Sequence, residues 1–308
     1  LSFISVLFSE FRLEAATGSN GRFMGLIYVF ALFCAYVFIT RFTLFRKQIV
    51  IAFIVSFTLV CILAVIQYTG ADIFYLLKNV KANTKVNYIS TIGNINVFSS
   101  FLCLGLPIAM YLCCFHRDKR ERSCYFAVSL LGFYAMIISN TDSGYIGFAG
   151  AFIILGMLSA KLKKSLSRLF VLLAFFIFTI KFAVFVSEIL PAPARNLSKI
   201  AVHIAHSSTM MYCALALLAV AFLFRIKRNE IKHSTPMKIV FIVVPVIGLV
   251  MLVSVFVWFS VVDREIALGS FENYLRFSET WGSERGHVWR ITWEAFNDMP
   301  FIKKLIGS

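Results

Sequence analysis

Eight long apolar blocks constrain the fold of this chain more than any other feature. A helix needs roughly 20 apolar residues to cross the hydrocarbon of a bilayer. The blocks approach this length and cover residues 23–40, 49–66, 97–115, 124–139, 145–160, 169–187, 209–224 and 239–260. Only 15% of the 308 residues are charged, against about a quarter in a soluble domain. We therefore predict an all-α, polytopic membrane helix bundle of about eight transmembrane helices, forming a single transmembrane domain over residues 1–308.

The two ends of the chain are less regular than its middle. Residues 1–22 hold an apolar run broken by Glu10 and Arg12, which we interpret as an interfacial segment or as the tail of an earlier helix. The chain begins at Leu1 and stops at Ser308 without a terminal helix or tail. This pattern indicates a fragment of a longer protein.

The distribution of charge predicts an orientation in the membrane. The short loops 41–48, 116–123, 161–168 and 225–238 carry 16 Lys and Arg in 38 residues, against three acids. Lys and Arg are enriched in cytoplasmic loops, so these loops are predicted to be cytoplasmic. The formal charge of +15 then has anionic membrane lipids as its expected partner, and no nucleic acid is needed to explain it.

The long polar segments fall on the other side of the membrane. They are the predicted external loops 67–96, 188–208 and 261–308. The cytoplasmic loops are too short for a nucleotide-binding domain, and the sequence has no Gly-rich phosphate loop of the Walker type. We therefore expect the chemistry outside, on a substrate that arrives already activated, for instance on a lipid diphosphate.

Arg285 is the strongest candidate for contact with such a diphosphate. It lies in a predicted helix that Ser283 would cap and Pro300 would end. A guanidinium near a helix N-terminus binds phosphate oxygens well, because its paired N–H groups and the free backbone N–H groups point the same way. From the residues alone, a diphosphate site and a surface helix whose Arg285 binds lipid headgroups are equally favoured. The weaker cationic candidates are Arg290, Arg276, Lys78, Lys81 and Lys85.

Other polar residues in apolar surroundings favour structural roles. Lys181 lies inside the sixth block, near its outer end, where its long stem can extend to the interface. His203 and His206 would share one helical face, but two histidines are too few for a typical metal site. We predict no metal and no cofactor. Asn94 or Asn96 is the expected N-cap of the third apolar helix, which contains Gly105-Leu-Pro107.

Three stretches of the sequence resemble the O-antigen ligase and Wzy-type polysaccharide polymerase superfamily. Gly93-Asn-Ile-Asn96, with the later Gly105-Leu-Pro107, is similar to the family's G-N-P-N signature before a helix with an L-P. Asn140-Thr-Asp-Ser-Gly144 lies at the place of its T-x-S-R-G turn. Glu284-Arg-Gly-His-Val-Trp289, with Asp298-Met-Pro300 and Ile306-Gly307, resembles its G-R-x-x-x-W helix and downstream P-L-x-G-x-G. The resemblance covers residues from about 67 to the end.

The resemblance implies a membrane glycosyltransferase of the GT-C kind in the bacterial cytoplasmic membrane. Such enzymes act in lipopolysaccharide and cell-envelope biosynthesis. They take a glycan from undecaprenyl diphosphate at the outer face and pass it to a glycan or lipid acceptor, without a metal. Arg285 matches the arginine that the family uses for the diphosphate.

The sequence also departs from the family pattern. Ile95 replaces the family's proline, and Gly144 replaces an arginine. The family's His-Asn motif, whose histidine is the usual base, would lie beyond Ser308, so the catalytic residue is unknown and this chain alone is expected to lack it. The alternatives are a transporter or flippase for polysaccharide or lipid-linked sugar, and a non-catalytic membrane assembly protein.

Overall fold

The structure is a computed structural model that describes residues 2–18, 24–44, 46–160, 162–190, 196–226, 234–263, 266, 268–269, 272–279 and 281–306. The chain forms two compact units. Unit 1 comprises Leu1–Phe45 and Ile247–Ser308, and unit 2 comprises Arg46–Val246.

Helices make up almost all of the regular structure in these ranges. They are α1 (Ser2–Phe8), α2 (Arg12–Thr17), α3 (Leu26–Phe42), α4 (Lys47–Tyr68), α5 (Ile95–Phe115), α6 (Lys119–Ser139), α7 (Asp142–Ser159), α8 (Lys163–Ile189), α9 (Lys199–His206), α10 (Ser208–Ile226), α11 (Ser234–Val257), α12 (Glu272–Leu275), α13 (Trp281–Asp298) and α14 (Phe301–Ile306). A 3₁₀ helix (Ala82–Asn87) precedes a small hairpin of β1 (Tyr88–Ile89) and β2 (Gly93–Asn94). A π-helical turn (Trp258–Val262) follows α11.

Among the residues that the structure describes, six helices are long and apolar enough to cross a membrane. They are α4, α5, α6, α8, α10 and the stretch Ile239–Val262. Two shorter apolar helices, Leu26–Phe42 and Gly144–Ser159, coincide with the first and fifth predicted blocks. The chain is thus an all-α, multi-pass membrane protein, and each of the eight apolar blocks lies in an apolar helix. The short fourth and seventh blocks do extend into their flanks, giving helices of 21 and 19 residues.

The core of unit 2 is built around Phe57 of α4. This side chain is fully buried and lies in a slot between two glycines of neighbouring helices. A Cβ atom at Gly105 of α5 would lie 2.1 Å from the Phe57 ring, and one at Gly132 of α6 would lie 2.8 Å from it. Small residues let membrane helices approach closely. Here they let one aromatic ring fill the space where α4, α5 and α6 meet.

The hairpin packs along the side of α4. Ser90, at its tip, donates its hydroxyl to the Val60 carbonyl at 2.8 Å, and its backbone N–H donates to Gln67 Oε1 at 2.5 Å. Val60 lies eight residues before the end of α4, which is about 12 Å along a helix. Non-helical backbone at membrane depth requires burial in protein or a water-filled cavity, and Ile89 and Ser90 are indeed buried.

The helices of unit 2 alternate in direction, so their ends gather in two places. One end, called the basic end below, holds Lys47, residues 114–123, residues 162–168 and the end of α10. Its contacts include the ion pair between Lys47 and Glu121 at 2.7 Å. The other end, called the hairpin end, holds the hairpin, the start of α5, the turn at 140–144 and α9.

Candidate functional site

Several local contacts at the hairpin end fix the start of α5. Gly93 has a φ of +83°, a conformation that glycine adopts readily. The Asn94 side chain then caps α5 by accepting the Asn96 backbone N–H at 2.9 Å. Asn94 is therefore the N-cap, as the sequence allowed. The hydroxyls of Ser99 and Ser100 both donate to the Asn96 carbonyl at 2.9 Å.

The turn at 140–144 packs against this start of α5. The Cys103 thiol donates to the Gly144 carbonyl at 3.2 Å, and a Cβ atom at Gly144 would lie 3.1 Å from Ser99 Cβ. The Asn140 amide donates to the Asn196 carbonyl at 3.2 Å, which joins the turn to the segment before α9. We call residues 93–103, 140–144 and 196 the turn cluster. It brings together two of the three stretches that carry the family resemblance.

Gly144 lies in a close contact. A Cβ atom there would lie 3.1 Å from Ser99 Cβ and 3.2 Å from Thr141 Oγ1, so a larger residue would fit only if these neighbours shifted slightly. The sequence has no cation at this position of the turn.

A lateral groove of about 490 Å³ runs beside the turn cluster's helices, between α4, α6 and α8. Its walls are almost wholly apolar and include Val65, Thr69, Leu130, Leu131, Tyr134, Phe175, Phe178, Thr179, Phe182 and Val186. Sequence reasoning missed this groove. The signal was present, because Phe175, Phe178, Phe182 and Val186 recur at the spacing of one helical face.

The three candidate lysines lie in the segment between α4 and the hairpin. Lys78, Lys81 and Lys85 are all exposed. The Lys78 ammonium lies 5.9 Å from the centre of the Tyr75 ring. No acid pairs with any of the three in the described part of the chain, so their charges face solvent or a ligand.

In unit 1, the Arg276 side chain binds groups of the segment between α11 and α13. Its guanidinium donates to the carbonyls of Phe259 at 3.2 Å and Ile266 at 2.5 Å, and it pairs with Glu272 at 3.1 Å. Only 12% of the side chain is exposed. These contacts make Arg276 a structural residue of the loop before α13.

Arg290 is also paired, though on the surface. Its guanidinium lies 2.6 Å from a Glu279 oxygen and 3.8 Å from a Glu294 oxygen. His287 approaches Glu279 at 3.9 Å. The two carboxylates neutralise much of the positive charge that Arg290 could offer to an anion.

Arg285 differs from both of these arginines. It is exposed and has no hydrogen bond or ion pair among the residues that the structure describes. It lies one turn from Trp281 and one turn from Trp289. The centres of these two rings are 5.2 Å apart. Helix α13 begins at Trp281, so the prediction that Ser283 caps it is wrong, and Arg285 lies in the second turn. The prediction of a helix that stops before Pro300 is confirmed.

The glycine after Arg285 brings a loop against α13. A Cβ atom at Gly286 would lie 2.0 Å from the Ser278 carbonyl oxygen, and the His287 backbone N–H donates to the Glu279 carbonyl at 3.0 Å. Residues 278–279 therefore pass directly over this part of the helix. Arg285 therefore has no partner among the described residues, and the next residue, Gly286, lies close to the backbone of Ser278.

Two other polar residues near the hairpin end, Lys181 and His206, have structural partners. Lys181 donates to the carbonyls of Ala205 and Ser207 and so caps the end of α9. His206 lies 3.2 Å from Glu188 and 2.9 Å from the Val202 carbonyl. Across the described ranges, no three His, Cys, Asp or Glu residues gather as a metal site would require.

Comparison with known proteins adds no relative. No family model, no curated protein and no solved structure matches this chain. The fold defines its class as a multi-pass helical membrane protein, and only its own residues indicate a function.

Proposed function

We propose that this chain is part of a GT-C-type glycosyltransferase of the bacterial cytoplasmic membrane. It transfers a glycan from undecaprenyl diphosphate to a glycan or lipid acceptor at the outer face, as an O-antigen ligase or a polysaccharide polymerase does. The observation that carries the proposal is the turn cluster. In it the second resembling stretch packs against the helix that the first one opens, since the Cys103 thiol of α5 donates to the Gly144 carbonyl.

The reaction needs a cation where the leaving group gains charge. An acceptor hydroxyl oxygen attacks the anomeric carbon, the bond from that carbon to the diphosphate oxygen breaks, and a base takes the hydroxyl proton. Undecaprenyl diphosphate departs with the bonding electrons, and a guanidinium stabilises its charge. Arg285 suits this role best, because Arg276 and Arg290 already have partners. We assign the base to no residue of this chain.

The lateral groove supports a lipid-linked donor. Its lining is aromatic and aliphatic, and it extends along α4 and α8 toward Thr69 and Val186, near the ends of these helices. A groove of this kind suits a polyprenyl chain. The exposed Lys78, Lys81 and Lys85 lie in the segment that follows α4 at the same end and would add positive charge there.

A deletion strain tests the reaction class. Loss of long glycan chains identifies a polymerase, and accumulation of long unattached chains identifies a ligase. Single lipid-linked units held in the inner leaflet would identify a flippase instead, which is the alternative function that the lateral groove also suits. Unchanged glycans on all three measures would contradict the proposal and favour an assembly protein.

Arg285→Ala in the full-length protein is expected to lower product formation about 100-fold or more, as loss of a single charge-stabilising donor does. Lys303→Ala is the matched control. It removes a positive charge from the same unit, and Lys303 is tied to Glu10 at 2.6 Å. The gel profile of the glycans is the measurement, with membrane insertion checked by immunoblot. Normal chain lengths from Arg285→Ala would overturn the assignment.

A further inference from the structure

We propose that the basic end of unit 2 carries a specific site for an anionic phospholipid, formed by Arg122, Arg168, Arg225 and Lys163 beside an apolar groove. The site is separate from the hairpin end, and the proposal does not depend on the reaction. Four observations carry it: the anchoring of Arg168, the clustering of positive charge, the engagement of the nearby acids, and the adjoining groove.

Arg168 is the fixed centre of this site. Its Nη1 atom donates to the carbonyls of Cys114 at 2.7 Å and His116 at 3.3 Å. These carbonyls end α5, where backbone oxygens lack helical partners. The guanidinium has five N–H donors. In the described part of the chain its Nε and Nη2 atoms have no acceptor, so three donors remain for a ligand.

Two further arginines lie near Arg168 at the basic end. Arg122 is in the first turn of α6 and Arg225 is in the last turn of α10, and both are close enough for their charges to act on the Arg168 guanidinium. Like charges brought together repel one another. Among the residues with described positions, none of the three forms an ion pair with an acid. An anion bound between them would offset the repulsion.

The acids nearest in sequence to Arg122 are engaged elsewhere. Glu121 pairs with Lys47 at 2.7 Å and lies 3.1 Å from His116. Asp118 caps α6 by accepting the backbone N–H groups of Glu121 and Arg120, and these bonds hold the pKa of its carboxyl below the usual value. Neither carboxylate is therefore available to neutralise the arginine cluster.

An apolar groove lies beside the cluster and favours an anion that carries an apolar chain. It measures about 300 Å³ and is lined by Lys163, Val220, Leu223, Phe224 and Ile226. Arg225 stands between two of these residues in sequence, and Lys163 lines the groove itself. Nearby, α8 and α10 pack against each other, and the Ser167 hydroxyl donates to the Ala221 carbonyl at 2.7 Å.

This combination fits a phospholipid rather than a free anion. Phosphate oxygens accept paired bonds from arginine, and an acyl chain fills an apolar groove. Basic pockets between membrane helices are a known way to bind anionic headgroups on the cytoplasmic side, where the positive-inside rule would place this end. Bound there, the lipid would join the ends of α5, α6, α8 and α10.

Native mass spectrometry of the full-length protein, titrated with dioleoyl phosphatidylglycerol, tests the site. The variant K163Q/R122Q/R225Q is expected to bind this lipid at least tenfold more weakly than the unsubstituted protein. The control K119Q/R120Q/K164Q also removes three positive charges from the same end. Its residues are exposed and lie outside the groove, so its affinity is expected to change less than twofold.

Each alternative source of binding has its own result. Equal weakening in both triple variants would mean diffuse surface charge, equal binding of dioleoyl phosphatidylcholine would mean an unspecific apolar groove, and full competition by inorganic phosphate would mean a free-anion site. Any of these overturns the proposal. If the first variant does not fold, R225Q alone, whose side chain is exposed, replaces it and is expected to weaken binding at least threefold.

Discussion

Asn94 ends the small hairpin and caps the start of α5. Its side chain accepts one of the N–H groups that a helix start leaves without a partner, and its neighbour Gly93 supplies the left-handed turn. The same two residues open the stretch that resembles the superfamily. At this position the structural role and the resemblance coincide, so stability and activity need to be measured separately.

Asn94→Ala is expected to lower the free energy of unfolding by about 1 kcal/mol, the usual value of a lost N-cap. Asn94→Asp keeps an acceptor oxygen in the same place and is expected to retain most of the stability. Thermal unfolding in detergent, followed by the loss of monodisperse protein, measures both. Equal destabilisation by the two substitutions would show that the capping bond is not what matters there.

The three arginines near the end of the chain show how far residue-level prediction extends. Sequence alone ranks Arg285 first because of its place in the motif and near a helix start. It cannot show that the Arg276 guanidinium donates to the carbonyls of Phe259 and Ile266. These carbonyls lie 17 and 10 residues earlier in the chain, so the contacts depend on how the loop folds. Lys181 is similar, because its partners lie more than 20 residues away in α9.

At the scale of helices and strands, the packing of α4, α5 and α6 depends on two glycines that accommodate one ring. Phe57 fills the slot between Gly105 and Gly132. Because the ring is fully buried, it has no free space into which it can move. The glycine of the Gly105-Leu-Pro107 stretch is thus the site of a close helix contact.

Gly105→Ala is expected to destabilise the protein by about 1–3 kcal/mol, the usual cost of overpacking a core. The matched control is Gly150→Ala in α7, where a Cβ atom would meet nothing within 4 Å. This control is expected to be neutral, or stabilising by up to about 1 kcal/mol. Chemical denaturation of the purified protein compares them, and a neutral Gly105→Ala would contradict the close contact.

Helices could be predicted from sequence far better than the elements between them. A block of about 20 apolar residues favours a helix in a bilayer. In the described residues, six of the eight blocks lie in helices long enough to cross it, and the first and fifth correspond to shorter apolar helices. The hairpin at 88–94 was not predicted, because its register is set by Ser90 bonding to Val60 and Gln67. The described part of α13 begins at Trp281, three residues before the start that a Ser283 cap predicts, and the Trp281 ring packs against Phe256 and Phe277.

For the whole molecule, the charge pattern and the alternating helices of unit 2 agree. The basic loops meet at one end through the contacts of Lys47 with Glu121 and Arg168 with Cys114. The turn cluster and the hairpin lie at the other. If the basic end is cytoplasmic, then the proposed transfer occurs at the outer face and the proposed lipid site lies in the inner leaflet.

Cysteine labelling tests this orientation. In a variant without the seven native cysteines, Val86→Cys is expected to react with a membrane-impermeant maleimide in intact cells. Lys119→Cys and Lys164→Cys are expected to react only after the membrane is permeabilised. All three positions are exposed, so the contrast reports sidedness. The reverse pattern would move the proposed chemistry to the cytoplasm and contradict the proposal.

The central claim is that the full-length protein transfers glycan from undecaprenyl diphosphate. Its most direct test is the release of free undecaprenyl diphosphate by purified protein in liposomes that contain the lipid-linked glycan. We expect one molecule of free carrier for each glycan transferred, with release reduced about 100-fold by Arg285→Ala and unchanged by Lys303→Ala. A lipid-linked glycan that stays intact, or equal release by Arg285→Ala and the unsubstituted protein, would contradict the account.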